Sequence, residues 1–419
     1  MAKVRKRVRL KLLPSIILLL LVVSLIGTGL FYAVRDWGRE PQSVQTLAPI
    51  GGEELAEKFP DKVRQPSVVR MMAAGDNLIH SSIYKQALAR GNGTEYDFEY
   101  AYEQVRDVLA LADFSVLNQE TPIVSSKEPD TYPSFNSPPS LGDLMVDLGF
   151  TVFNHANNHI LDKGASGALE TIEYWKSKPG ITLTGAYSDE TDRLEVKTNT
   201  VNDITFSHIG VTEYLNGLNV PADSPLRVVS LTDNKRTREE VEATVKEMIE
   251  AAKKESDIVC VSMHWQREDW TDVTDDQHAW AEQMVDWGAD VIIGTGPHVI
   301  QPMEFVERAD GSRALIIYSL GNFISAQSKA TNMLGGIADV TFTKDFITGK
   351  TEITSAGFIP TVTHYDGKYQ NIRIIPFQDY PEEMANQHGV RNFQTKFNYE
   401  FAKNVYDTVI GPEFLEDYR

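Results

Sequence analysis

Cysteine is almost missing from this chain. Cys260 is the only one in 419 residues, which excludes an intrachain disulfide. It sits in DIVCVSMH, an apolar strand pattern, and reads as a small buried hydrophobe. Basic residues are scarce too: 40 Lys and Arg against 59 Asp and Glu give a formal charge of −19. Seven of those basic residues lie at or before Arg35, so residues 36–419 carry −26. Such a surface repels nucleic acid and anionic lipid, and both drop out as partners. There is no internal repeat, and the hydrophobic content of 42% is ordinary globular composition, enough for one large domain or two smaller ones.

One long apolar run is present. PSIILLLLVVSLIGTGLFYAV (14–34) has 21 residues without a charge, close to the roughly 20 that a membrane helix needs. A soluble helix would show a polar face, and a cleaved signal peptide would have a shorter run followed by an A-x-A site. The reading is therefore an uncleaved transmembrane anchor. Residues 1–13, with six Lys and Arg and no acid, stay cytoplasmic by the positive-inside rule, and the rest lies outside the cell membrane. Residues 35–66, with Pro41, Pro49, Gly51, Gly52, Pro60 and Pro66, read as a stalk. Residues 67–419 form the extracytoplasmic domain.

From Ser67 onward strand-like and helix-like segments alternate. VVRMMAAGD, DFSVLN, GFTVFNH, ITFSHIGV, DIVCVSMH and DVIIGTG read as strands. SGALETIEYWKSK and DQHAWAEQMVDWGA read as helices, and Thr237 with Glu240 forms a capping box for TREEVEATVKEMIEAAKK. ALIIYSLGNFI follows as one apolar segment. GIADVTFTKD and TEITSAGFIPTV, joined through Gly349, predict an antiparallel hairpin, and NFQTKFNYEFAKNVYDTVI a closing helix. The pattern implies an α/β fold with buried strands.

Ligand-type residues recur where these strands end, which is where α/β folds place their sites. AAGDNLIH offers Asp76 and His80, VLNQETP offers Asn118 and Glu120, and VSMHWQRE offers His264 and Glu268. GTGPHV offers His298, and FNHANNHILDKG offers Asn154, His155, Asn157, Asn158, His159 and Asp162. Singly, each has a bland explanation as a turn or a hydrogen-bonded structural residue. Five strand ends carrying oxygen and imidazole groups together point to a divalent metal of the Mn, Zn, Fe or Mg kind.

The order GD, N-x-E-x-P, ANNH-x-x-D-x-G, HW-x-x-E, G-x-x-PHV-x-x-P and YSLGNF, from about Met71 to Phe323, resembles the bacterial capsule-synthesis (CapA-type) proteins of poly-γ-glutamate production. That family is related to the calcineurin-like metallophosphoesterases. The resemblance implies a sandwich of two β-sheets flanked by helices, behind one transmembrane helix. It implies Asp76, Glu120, Asn158, His264 and His298 as metal ligands and His159 as general acid or substrate contact. Glu268 joins His159 as a candidate catalytic group. Asn118, His80, His155, Asp162 and Asn322 stand as supporting or substrate-contacting residues. Two positions depart from the phosphoesterase pattern: Leu78 and Gly296 stand where histidines would be. His80 or His155 is then the candidate replacement.

Two functions fit this pattern. One is a membrane-anchored, metal-dependent hydrolase or transferase acting on an anionic polymer or a phosphoester. The other is a non-catalytic accessory protein that binds polymer or membrane synthase subunits through a degenerate site.

Overall fold

Strands buried on both faces need a different apolar partner on each side, and the computed structural model supplies two. It describes residues 64–232 and 235–415. Strands β1 (Ser67–Asn77), β2 (Phe114–Asn118), β3 (Phe150–Asn154) and β4 (Thr182–Thr184) run parallel. Helices α1 (Ser81–Arg90), α2 (Pro139–Asp147) and α3 (Gly164–Lys176) lie in the connections between them. The two-residue β5 (Ala186–Tyr187) comes next, then the hairpin of β6 (Lys197–Val201) and β7 (Ile204–Thr212). Strand β8 (Arg227–Val228) pairs with β5 in a separate ribbon.

Helix α4 (Arg238–Glu255), β9 (Ile258–His264), α5 (Asp275–Trp287), β10 (Val291–Thr295), β11 (Ile300–Glu307) and β12 (Arg313–Leu320) follow. They complete a six-stranded sheet in the order β11-β12-β10-β9-β7-β6, whose four inner strands are parallel. Strands β13 (Asn322–Ile324), β14 (Leu334–Asp345), β15 (Lys350–Asp366) and β16 (Gln370–Pro376) return to the first sheet. Its order is β16-β15-β14-β1-β2-β3-β4, with β13 beside the end of β1.

Side-chain alternation sets the layers. On β9, Ile258 and Cys260 face the core between the sheets, while Val259, Val261 and Met263 pack on α4 and α5 through Val245, Ile249 and Met284. Phe206 bridges the two sheets, its ring 4.7 Å from Phe114 and 5.0 Å from Phe342. Phe153 stacks on Trp175 of α3 at 3.8 Å. The expected β14–β15 hairpin is present. The segment ALIIYSLGNFI is not one strand: β12 belongs to one sheet and β13 to the other, and the chain turns between them at Gly321 (φ +66°). The closing helix α6 (Tyr399–Val409) is shorter than its apolar pattern, because Asn398 caps it by accepting from the Phe401 backbone N–H.

The anchor at 14–34, the basic segment and the stalk up to residue 63 lie outside the described residues. Among the described residues no helix is long and apolar enough to cross a membrane.

Candidate metal centre

The inner strands of both sheets end at one place. Asp76 lies near the end of β1, Asn118 and Asn154 end β2 and β3, His264 ends β9, and Thr295 ends β10 three residues before His298. Close backbone packing makes this possible. The Asp76 N–H donates to the Gly321 carbonyl at 3.0 Å, and a Cβ on Gly75 would lie 1.9 Å from the same oxygen.

Glu120 is the centre of the cluster. It is fully buried, and neither carboxylate oxygen has a hydrogen-bond partner. Around Oε1 stand three imidazole nitrogens: Nε2 of His264 and of His298, each at 3.8 Å, and Nε2 of His159 at 3.9 Å. Burial first, and the Asp76 charge second, push the Glu120 carboxyl well above the usual carboxylate range.

Asp76 is the opposite case, buried but fully engaged. It accepts from Asn118 Nδ2 (2.8 Å), from the Gly296 N–H (3.2 and 3.1 Å) and from His298 Nδ1 (3.0 Å). Burial opposes its ionisation, but the His298 hydrogen bond and charge hold it below its ordinary value. Burial likewise opposes protonation of His298, yet Glu120 and Asp76 together raise that imidazole to about 10. His298 itself sits at φ +60°, a left-handed backbone uncommon outside glycine, which aims Nδ1 at Asp76 and Nε2 at Glu120.

The remaining groups hold the other two imidazoles. His264 places Nε2 3.0 Å from Asn158 Oδ1 and Nδ1 3.0 Å from Thr295 Oγ1, and burial pulls its pKa down to about 3. Asp162 Oδ2 accepts from His159 Nδ1 at 2.8 Å and from the Phe135 N–H at 2.6 Å. That bond leaves His159 Nε2 as the nitrogen facing Glu120.

A cation suits this arrangement. Metal–ligand bonds of about 2.0–2.2 Å place the ligands of one ion roughly 3–4 Å from each other, which is the spacing around Glu120. Ligand atoms of Asp76, Glu120 and His298 also lie within 4.8 Å of one another. A buried carboxylate with no donor is costly without an opposite charge, and a divalent ion would supply one.

Residues 70–327 match the family model described as bacterial capsule synthesis protein PGA_cap. The chain belongs to that family. It is 30% identical over 248 residues to the PGA biosynthesis protein CapA of Bacillus subtilis, covering 58% of this chain and 60% of that one. It is 28% identical over 277 residues to the capsule biosynthesis protein CapA of Bacillus anthracis, covering 64% and 62%. The matches thus span about 60% of the length of these relatives. A solved structure, described as a novel phosphatase of Mycoplasma pneumoniae, is similar at a TM-score of 0.41 and 13% identity, over 71% of this chain and 95% of that one.

Within this PGA_cap chain the other predicted residues fall as follows. Asn118 bridges, donating to Asp76 and accepting from Asn154 Nδ2 at 3.0 Å. Asn322 holds the wall behind the site, its Nδ2 donating to the His298 and Asn332 carbonyls. Glu268 is exposed, and its charge is felt by Glu120, His298 and Tyr214. His80 does not replace a ligand at Asp76: its Nδ1 accepts from the Ala326 N–H at 3.2 Å, and its ring packs edge-on against Phe135. His155 does not either. It is buried against Trp175 with neither ring nitrogen partnered. Gly296 cannot carry a side chain, since φ is +100° and a Cβ would lie 2.2 Å from the Trp265 carbonyl. Its N–H serves Asp76 instead.

Three contributors escaped the sequence reading. Thr295 bonds His264, while Tyr214 Oη and Asn216 Oδ1 lie 3.5 and 3.3 Å from Asn158 Nδ2. Tyr214 and Asn216 follow β7, a sixth strand end, so the strand-end rule itself would have found them.

Proposed function

We propose that this chain is a membrane-anchored, extracytoplasmic protein of poly-γ-glutamate-type capsule synthesis, export or release, with a metal-dependent hydrolytic centre at Glu120. One observation carries the catalytic part: an orphaned buried carboxylate ringed by three imidazole nitrogens. The family supports the capsule part. The uncharged run at 14–34 supports the anchor, and a membrane synthase is its natural neighbour.

Glu120, His264 and His298 would hold the ion, with Asp76 and Asn158 at its sides. When bound, a divalent cation polarises an amide or phosphoryl oxygen and lowers the pKa of an attached water. The chain's own residues do the rest. Asp162 fixes the His159 ring so that Nε2 can take or give a proton at the reacting group. Asp76 holds His298 through Nδ1 and Thr295 holds His264 through Nδ1, which leaves Nε2 of each ring toward Glu120. Tyr214 and Glu268 stand near this centre.

The test is the metal-to-protein ratio of the purified full chain by elemental mass spectrometry, beside His298→Ala. Bound metal that falls in the variant supports the reading and directs assays to γ-glutamyl amides and phosphoesters. No metal after loading with manganese, zinc, iron and magnesium overturns it. A second reading, a non-catalytic accessory subunit, rests on Leu78 and on Gly296, where no side chain fits. Polymer production that survives Asp76→Ala in cells, with the protein folded, would favour it.

A further inference from the structure

A cavity of about 770 Å³ opens beside the metal centre, and its charge is opposite to that of the protein as a whole. Arg193, Arg227, Lys235 and Arg236 line it, and among the described residues Glu190 is the only acid on its wall. Glu190 is shared: its Oε1 accepts from Arg193 Nε and Nη2, and its Oε2 from Arg227 Nε at 3.0 Å. One carboxylate cannot satisfy two guanidinium groups.

The arginines keep unspent donors. Arg193 Nη1 is buried with no hydrogen-bond partner. Arg227 Nη1 is held by the carbonyls of Ser224, Pro225 and Leu226, which fixes the fork while Nη2 has no partner among the described residues. Among the described residues Arg236 uses only Nη2, on the Glu240 carbonyl and Thr244 Oγ1. A planar fork with free N–H pairs is suited to carboxylate. On a chain whose residues 36–419 carry −26, a pocket built this way is where an acidic chain can approach without repulsion. One side chain links the cavity to the metal centre. Tyr214 lines the cavity and reaches Asn158, whose Oδ1 meets His264.

We infer that this cavity is the subsite that holds the carboxylates of an acidic polymer while a neighbouring bond lies at the metal centre. The inference rests on the capsule-polymer reading above and adds the residues that would recognise the polymer.

The experiment measures binding of a fluorescein-labelled, γ-linked glutamate decamer to the full chain by anisotropy, with a γ-linked glutamine decamer as neutral control. The metal content of every sample is measured alongside. Wild type should bind the glutamate decamer, bind the glutamine decamer at least about tenfold more weakly, and lose affinity with added salt. Arg227→Gln with Arg236→Gln should weaken binding by at least about tenfold with metal content unchanged. Lys246→Gln, a surface change of the same charge on the far side of an ion pair with Glu250, should leave it unchanged. Should the double variant not fold, Arg236→Gln alone carries the test, because its contacts are with one carbonyl and one hydroxyl. Equal affinity in wild type and variant, or equal binding of both decamers, overturns the subsite. Metal bound but no decamer bound also overturns it and leaves the metal centre standing. Decamer bound without metal supports the subsite and removes the hydrolase.

Discussion

Glu120 is the residue whose environment is hardest to explain without an ion. An unsatisfied buried polar group costs on the order of 1–3 kcal/mol, and more when charged. Glu120→Gln should therefore be at least as stable as wild type in chelator, by up to about 2 kcal/mol, yet less stable than wild type in saturating metal. Thermal unfolding under both conditions reads this crossing, and a variant that is destabilised equally in both would sink it. Gly296→Ala tests the neighbouring wall. Its Cβ would lie 2.2 Å from the Trp265 carbonyl at φ +100°, so a loss of roughly 2–4 kcal/mol in denaturant unfolding is expected, with metal content falling because the N–H to Asp76 moves. At this scale the sequence was informative in a particular way. Asp76, Glu120, Asn158, His159, His264 and His298 all lie at strand ends or within five residues beyond them, and the structure brings them together. The loss of histidine at Gly296 was visible, but its cause, the approach of the Trp265 backbone, needs the third dimension.

Among the elements, those with local causes were legible. The capping box of α4 was readable because it depends on two residues three apart, and both of its hydrogen bonds are present. Thr237→Ala should cost about 1 kcal/mol, read by denaturant titration, and a cost near zero would mean that packing on β7, β9 and α5 holds this helix without its cap. What was not legible depends on distant partners. Nothing local says that β1 lies between β2 and β14, whose paired residues Phe114 and Val340 both oppose Met71. Nor does the apolar run through Gly321 announce that it changes sheets. The arginines of the cavity are hidden for the same reason, since Arg193, Arg227 and Arg236 belong to separate segments gathered by β5, β8 and the entry to α4.

At the scale of the whole molecule, charge and burial combine to make stability depend on pH. His208 and His388 are buried and burial brings each to about 3, while His364, beside them in the second case, falls to about 4. None belongs to the metal cluster: His208 bonds Asn199 Oδ1, His364 bonds Tyr380 and Asp366, and His388 bonds the Thr363 carbonyl. The folded pKa of each lies below the unfolded value of 6.5. The unfolded chain therefore binds protons first, and the stability these groups contribute is complete above pH 6.5 and lost as pH falls toward 4 and 3. The slope approaches about 1.4 kcal/mol per pH unit for each histidine inside that window. His208→Gln retains a partner for Asn199 and removes one titrating group, so its stability should fall less steeply between pH 7 and pH 4.5 in denaturant titrations. An identical slope in wild type and variant would mean that His208 protonates in place, and the acid sensitivity of the fold would then have to come from its ion-paired carboxylates.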